Sequence, residues 1–579
     1  MSLFKGAILT SSLILYVGCG GGVKSTNTTL PDNNQSIGNN PDINNTNLVF
    51  PKFPHKNEKY QILAWNDLGM HCMDGSDYSV FSILPPYNNL LTQLIKKSTV
   101  ESKPKLVTRD VNITYEAVAS LKGKYNTSSA NKTNFWKYSS KLFNIQLTDN
   151  IGLTGNPVPS KIPAPLQYKN THKWWDAEGI PVVPQDDDGT KNEYPMVRVT
   201  AKNKAGKVLA ETITVLPVSD EMDCKKCHSS TVNYPAAQPY EGYVNNSDEN
   251  KDYKYNILRL HDQKHEIDTY LPTLKKAGYT YKSSLEETAK SGTPILCAAC
   301  HKSNALGTKG MDNIPSLTSA IHAKHSKVID PSNGKTLNSS TNRNACYACH
   351  PGQKTQCLRG AMGKAKDNNG TQTMQCQSCH GGMSAVGNKS RNGWLEQPNC
   401  QTCHQEGKRY TTAVTDMRKG TLREVIDTKF ATNPDTPAKG LSLYRFSTGH
   451  GGLQCASCHG STHAIYSSSR AEDNIQSEHI QGHAGTINDC KACHNKNIPD
   501  TINGGPHGMH TPGASWVQDH QEAVINNGPN ACKVCHGKDF KGTVLSKMFK
   551  KRYMTGKEFK QGHKVSCYDC HNGPTGQGY

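Results

Sequence analysis

The chain has 579 residues, room for two to four domains. Only 35% are apolar, and even with Gly added and Tyr removed the fraction reaches about 39%, against ~45–50% for ordinary globular domains. With 21 Cys, 24 His and a net charge of +18, this composition excludes a Leu-rich α/β enzyme. No long apolar span follows the first 18 residues, which excludes a polytopic membrane protein. No basic run carries interleaved aromatics, so the positive charge does not predict nucleic-acid binding.

Residues 1–18 read as an export signal. Lys5 supplies the positive start and GAILTSSLILYV (6–17) a short apolar stretch. The segment ends at Gly18-Cys19 and resembles a bacterial lipoprotein signal, which makes Cys19 the lipid anchor and puts the mature chain outside the cytoplasm. An outer-membrane or cell-surface location is expected ahead of a periplasmic one. Residues 19–47 are rich in Gly, Ser, Thr and Asn and read as a flexible tether. Residues 48–218 hold most of the Trp and several β-like runs. Met196–Ala201 and Val208–Leu216 flank a Lys204-Ala205-Gly206 turn. The expectation is a small, mostly β, sandwich-like domain.

Beyond it one motif repeats. Its cysteine pairs are Cys224 and Cys227, Cys297 and Cys300, Cys346 and Cys349, Cys376 and Cys379, and Cys400 and Cys403 in a first group. Cys455 and Cys458, Cys490 and Cys493, Cys532 and Cys535, and Cys567 and Cys570 follow in a second. Each pair is followed at once by a histidine: His228, His301, His350, His380, His404, His459, His494, His536 and His571. The spacing of 24 to 73 residues between copies is too irregular for a solenoid. Residues 219–410 form a block of five motifs, 411–448 a connecting segment with a helix expected around Thr415–Phe430, and 449–579 a block of four.

C-x-x-C-H is the attachment sequence of c-type haem: two thiols add to the porphyrin vinyl groups and the histidine becomes the proximal iron ligand. Roughly 0.03 copies are expected by chance at these Cys and His frequencies; nine are present. Zinc ribbons need a second ligand pair and no fixed following His, and redox C-x-x-C pairs do not recur ninefold with one. Nine covalent haems explain the thin core, because porphyrins supply the missing apolar surface. Their propionates explain the Lys excess, bringing +18 to about +9 when oxidised. The expected fold is therefore a haem-packed multihaem cytochrome c, mostly coil with short α-helices, behind the β domain.

Twelve non-motif histidines in this region are distal-ligand candidates: His261, His265, His322, His325, His450, His463, His479, His483, His507, His510, His520 and His563. They suffice for bis-His ligation throughout. Met383 and Met509 are rivals near motifs. Only His261, His265, His322 and His325 lie beside the first five motifs, so a distal ligand must cross from elsewhere or one iron is open. His71, in WNDLGMHCMD (65–74), is the candidate donor from the β domain. Met70-His71-Cys72-Met73 alternatively offers soft copper ligands. Cys72 and Cys357 are left over and could pair in an oxidising space. Asp186-Asp187-Asp188-Gly189 is a weak Ca²⁺ pattern.

The chain resembles the multihaem c-type cytochromes of bacteria that move electrons to or across their outer surface. The likeness is strongest in GHGGLQCASCHGSTHA (449–464), SEHIQGHAGTINDCKACH (477–494) and GGPHGMH (504–510), with WNDLGMHCMD and CLRGAM (357–362) as further parts. The resemblance implies closely packed haems forming an electron conduit on an outer-membrane lipid anchor. Its partners would be other redox proteins or cytochromes, or an extracellular acceptor, with a filament-forming subunit as a variant. The alternative is a multihaem reductase or oxidase of nitrogen or sulfur oxyanions with one open haem. All nine motifs ending in His counts against the type in which Lys replaces a proximal His.

Overall fold

The computed structural model describes residues 48–53, 59–99, 103–222, 224–265, 267–276, 278, 284–352, 354–364, 372, 374–391, 446, 448, 450–495, 514–537, 539–542, 546, 548, 551–560 and 563–575. The export signal, Cys19, the tether and the helix expected around Thr415–Phe430 lie outside these residues. So does the fifth motif, with Cys400, Cys403 and His404, and so do His507, Met509 and His510.

Among the described residues twelve strands precede the first motif: β1 (Tyr60–Asn66), β2 (His71–Cys72), β3 (Phe81–Ser82), β4 (Leu90–Lys96), β5 (Lys105–Val107), β6 (Val111–Val118), β7 (Ala164–Pro165), β8 (Gln167–Lys169), β9 (Trp174–Ala177), β10 (Met196–Asn203), β11 (Val208–Val215) and β12 (Val218–Ser219). One antiparallel sheet runs β1-β4-β9-β8, with β5 also on β4; the other runs β11-β10-β6-β7. Ile62, Ala64, Leu90 and Leu94 of the first sheet meet Ile113, Tyr115, Val197, Val199 and Ala201 of the second in one buried cluster. Alternation along each strand sends these side chains inward, so the expected sandwich forms. The hairpin read from the sequence is β10–β11, with Met196 opposite Val215 and a register shift between Ala201 and Lys202. Gly206 takes φ +81° in its turn, a conformation that costs glycine nothing.

The Cys-rich region that follows is built from short helices and turns, and it packs against the sandwich. The helix Ala471–Gln481 lies beside β11. Ala456, inside the CASCH motif, sits in a small cluster with Trp65, Leu91 and Trp174. The strand Ile295–Leu296, just before CAACH, pairs in parallel with β3. Two motif-bearing segments and the helix between the sixth and seventh motifs are thus seated on strands of the β region.

Candidate haem-binding site

Eight of the nine motifs lie among the described residues, and their backbones share a pattern. The His N–H donates to the carbonyl of the first Cys at 3.0 Å in His228 and His301, 2.8 Å in His350 and His494, and 3.2 Å in His571. The second cysteine closes the same turn. Cys227 N donates to the Cys224 carbonyl at 3.2 Å, Cys300 N to Cys297 at 3.3 Å, Cys349 N to Cys346 at 3.3 Å and Cys493 N to Cys490 at 3.2 Å. Cys570 N likewise donates to the Cys567 carbonyl. Cys379 and Cys458 lie inside the complete short helices Cys376–His380 and Cys455–His459, and Cys535 inside the helix Lys533–His536.

One helical turn puts residues i, i+3 and i+4 on one side, so both thiols and the imidazole of a motif address the same face. The thiols of Cys227, Cys349, Cys379, Cys458 and Cys570 are half-buried and in no disulfide. The same is true of their first cysteines Cys224, Cys346, Cys376, Cys455 and Cys567. Each of these pairs therefore has both sulfurs available for thioether bonds. Cys403, in the fifth motif, has no described position. Gly460, directly after the sixth motif, has φ +84°, and a Cβ there would lie 3.0 Å from the Ala464 carbonyl. The chain can reverse there because the residue is glycine.

Five of the motif imidazoles are paired with imidazoles from outside the motifs. Ring centroids are 6.2 Å apart for His228 and His325, 6.0 Å for His350 and His322, 6.3 Å for His380 and His463, 6.0 Å for His494 and His450, and 5.8 Å for His571 and His520. Bonds of about 2 Å from an iron to an imidazole nitrogen on each side set two ring centroids roughly 6 Å apart. In each of these five pairs one ring follows a C-x-x-C and the other does not. His261 and His265 stand 4.7 Å apart and both interact electrostatically with His301.

The tautomers are set from behind. Nδ1 faces a backbone carbonyl in His322 (Thr318, 2.8 Å), His325 (Ile321, 2.7 Å), His463 (Leu68, 2.9 Å) and His520 (Val517, 2.8 Å). The same holds for His301 (Pro315, 2.8 Å), His536 (Val565, 2.9 Å) and His571 (Gly573). A carbonyl can only accept, so Nδ1 carries the proton and Nε2 keeps its lone pair for a metal. Burial pushes the imidazoles of His228, His261 and His350 down to about 4. They are therefore neutral, the form that ligates. The donor set and its spacing fit covalent haem.

The pairs also link motifs. His322 and His325 lie one turn apart on the helix Leu317–His325, yet face different motifs, the third and the first. The thiols of Cys346 and Cys376 are in contact, joining the third motif to the fourth. His459 belongs to the sixth motif, while His463, four residues on, faces His380 of the fourth. His450, just ahead of the sixth motif, faces His494 of the seventh.

Other sequence candidates are placed differently. His71 turns Nε2 to Asp67 at 2.7 Å, and the histidine that crosses to the first block is His463. In the Met70-His71-Cys72-Met73 run only His71 and Cys72 are strand, and the two Met side chains part from each other. Met70 and Met73 enter separate core clusters. Cys72 and Cys357 are free thiols; burial pushes that of Cys357 up to about 12 against the opposing Arg359 charge. Asp187 and Asp188 are bound by Lys132 at 3.0 Å and Lys124 at 2.8 Å, and Asp186 accepts from Asn192 at 2.7 Å. Among the described residues no group of three or more His, Cys, Asp or Glu is placed to hold a bare metal ion. His563 turns Nε2 to Asp569 at 2.9 Å. His479 stacks on Phe53 at 3.5 Å, and His483 Nδ1 lies 3.3 Å from the Ala484 carbonyl. Sequence reasoning missed the carbonyls that hold these seven Nδ1 atoms, since a backbone atom carries no sequence signal.

A β-sandwich followed by single-turn C-x-x-C-H motifs with paired imidazoles is the arrangement that a multihaem c-type cytochrome requires. Residues 216–391, which hold the first four motifs, match the family model described as outer membrane cytochrome MtrC/MtrF-like, domains II/IV. The resemblance to outer-surface multihaem cytochromes is thereby supported by a direct match over that segment. No curated protein and no solved structure matches the chain.

Proposed function

We propose that the chain is a nine-haem electron conduit of the cell surface, tethered through a lipid on Cys19. The observation that carries this reading is the set of five His pairs, each joining one motif ring to one non-motif ring at 5.8–6.3 Å. Bound haem supplies reversible one-electron transfer. The protein's residues do the rest. The motif cysteines would fix each porphyrin covalently, and in each of the five pairs the two imidazoles would both be ligands to one iron, which would leave no place for a substrate there. The carbonyls behind Nδ1 hold the rings in one tautomer through a change of iron charge. One helical turn from His322 to His325 and the reversal at Gly460 between His459 and His463 hold neighbouring sites at fixed spacing. The match to outer membrane cytochromes supports the location. The β-sandwich acts as the frame on which the motif segments are seated. The partners would be other cytochromes or an extracellular acceptor.

Intact-mass spectrometry of the exported holoprotein tests the cofactor count. The expected mass is that of the mature chain plus nine haems, with a diacylglyceryl group on Cys19. A mass with fewer haems contradicts the nine-site reading, and an unmodified Cys19 contradicts the anchor.

A further inference from the structure

Arg359, in the CLRGAM segment between the third and fourth motifs, is a fully buried cation. Its side chain has 0% exposure. Two parallel bonds reach Asp473, Nε to Oδ2 at 2.6 Å and Nη2 to Oδ1 at 2.8 Å, and Nη1 donates to the carbonyl of Gly69. Ser468 adds a third bond to the same carboxylate at 2.6 Å. The guanidinium also lies 4.9 Å from the centre of the Tyr194 ring. A buried charge is tolerated only when paired and hydrogen-bonded in this way.

The backbone around Arg359 grips the segment that carries His463. Arg359 N and Gly360 N donate to the His463 carbonyl at 3.0 and 2.9 Å, and Ala361 N donates to the Ile465 carbonyl at 2.9 Å. On its other side, His463 Nδ1 donates to the carbonyl of Leu68 at 2.9 Å. Leu68 precedes Gly69, the residue whose own carbonyl Arg359 holds. Asn66 Oδ1 accepts from Gly69 N at 2.7 Å and closes this turn. Gly69 has φ +87°, and a Cβ there would come within 3.1 Å of His463 N.

We infer that Arg359 is a positioning residue for the haem of Cys376–His380: by clamping the Leu68–Gly69 turn to Asp473 and to the backbone of His463, it holds the Leu68 carbonyl on His463 Nδ1 and so sets that ligand's tautomer and ring plane. The inference rests on the reading of His463 as an axial ligand. A carbonyl on Nδ1 makes the imidazole a stronger donor, which favours ferric iron. Losing that carbonyl raises the potential of one haem and leaves the others in place.

The test compares three variants of the full-length holoprotein by EPR, potentiometric titration and thermal unfolding. His463→Ala tests the ligand itself: loss of one low-spin signal is expected, and an unchanged low-spin count removes the ligand reading and this inference with it. Arg359→Lys, which keeps the charge but cannot form the two-bond fork, is expected to shift the g-values and raise the potential of a single haem. Gly69→Ala, which leaves the Arg359–Asp473 pair intact, is expected to shift the same haem. That second variant keeps the test open if Arg359→Lys does not fold. If His463→Ala removes one signal while both other variants melt earlier with every haem signal and potential unchanged, Arg359 is structural only and the inference is overturned.

Discussion

Gln476 pairs with Ala64 as a neighbouring strand would: its Oε1 accepts from Ala64 N at 2.8 Å and its Nε2 donates to Ala64 O at 3.0 Å. The same Oε1 accepts from Thr212 Oγ1 at 2.9 Å, and Nε2 also reaches Tyr466 OH at 3.0 Å. One side-chain amide from the helix Ala471–Gln481 thereby joins the later haem block to β1 and β11. Gln476→Leu leaves both polar groups of Ala64 buried without partners, each at a cost of about 1–3 kcal/mol. The expected loss is about 2–4 kcal/mol, read by denaturant unfolding. An unchanged midpoint would mean that water or a shifted strand replaces the amide.

The two distal candidates on one helix predict separable spectra. His325 and His228 are inclined at 72°, whereas His322 and His350 are inclined at 15°. Near-perpendicular imidazole planes leave two iron d orbitals almost degenerate, and near-parallel planes split them. His325→Ala should therefore remove a highly anisotropic low-spin EPR signal, and His322→Ala a rhombic one. If both variants lost the same signal, the two histidines would not serve separate irons.

Acid stability follows from Glu286. Burial raises its pKa, but hydrogen bonds from Arg259, at 2.8 and 2.7 Å, and from Lys290, at 2.8 Å, outweigh this and hold the carboxyl below its ordinary value. A carboxyl with a depressed folded-state pKa gives stability that is present above its unfolded pKa and lost as pH falls through the folded one. Glu286→Gln should destabilise the protein at pH 7 and differ little from wild type well below pH ~4. Equal differences at both pH values would contradict the ion-pair account. Arg259 lies on the helix that carries His261, so the same variant reports on the seat of that histidine.

Attachment is testable one motif at a time. Replacing Cys297 and Cys300 together by Ala should lower the intact mass by one haem and leave the other attachments in place, because each motif closes its own helical turn. Retention of full haem mass would show that this pair does not carry a porphyrin.

What the sequence revealed was whatever is local. The nine motifs are contiguous, so their chemistry needs no tertiary information, and the β10–β11 hairpin follows from two alternating runs about Gly206. Distal pairing is not local. His463 lies four residues after His459, yet it faces His380 because CLRGAM and the Leu68–Gly69 turn close around it. His71 is the candidate that the sequence offers from the β domain, but Asp67, just past the end of β1, engages its Nε2. The shortage of histidines beside the first motifs implies a ligand from outside that block or an open iron, and the outside ring that the fold sets against His380 is that of His463. Its identity required the fold.

Bis-His ligation of every iron by the protein's own imidazoles is the property on which the conduit depends. Low-temperature EPR with near-infrared magnetic circular dichroism on the oxidised holoprotein, normalised to total haem, measures this directly. Nine low-spin bis-His irons is the predicted result. One high-spin iron would contradict it and make that site a place for substrate.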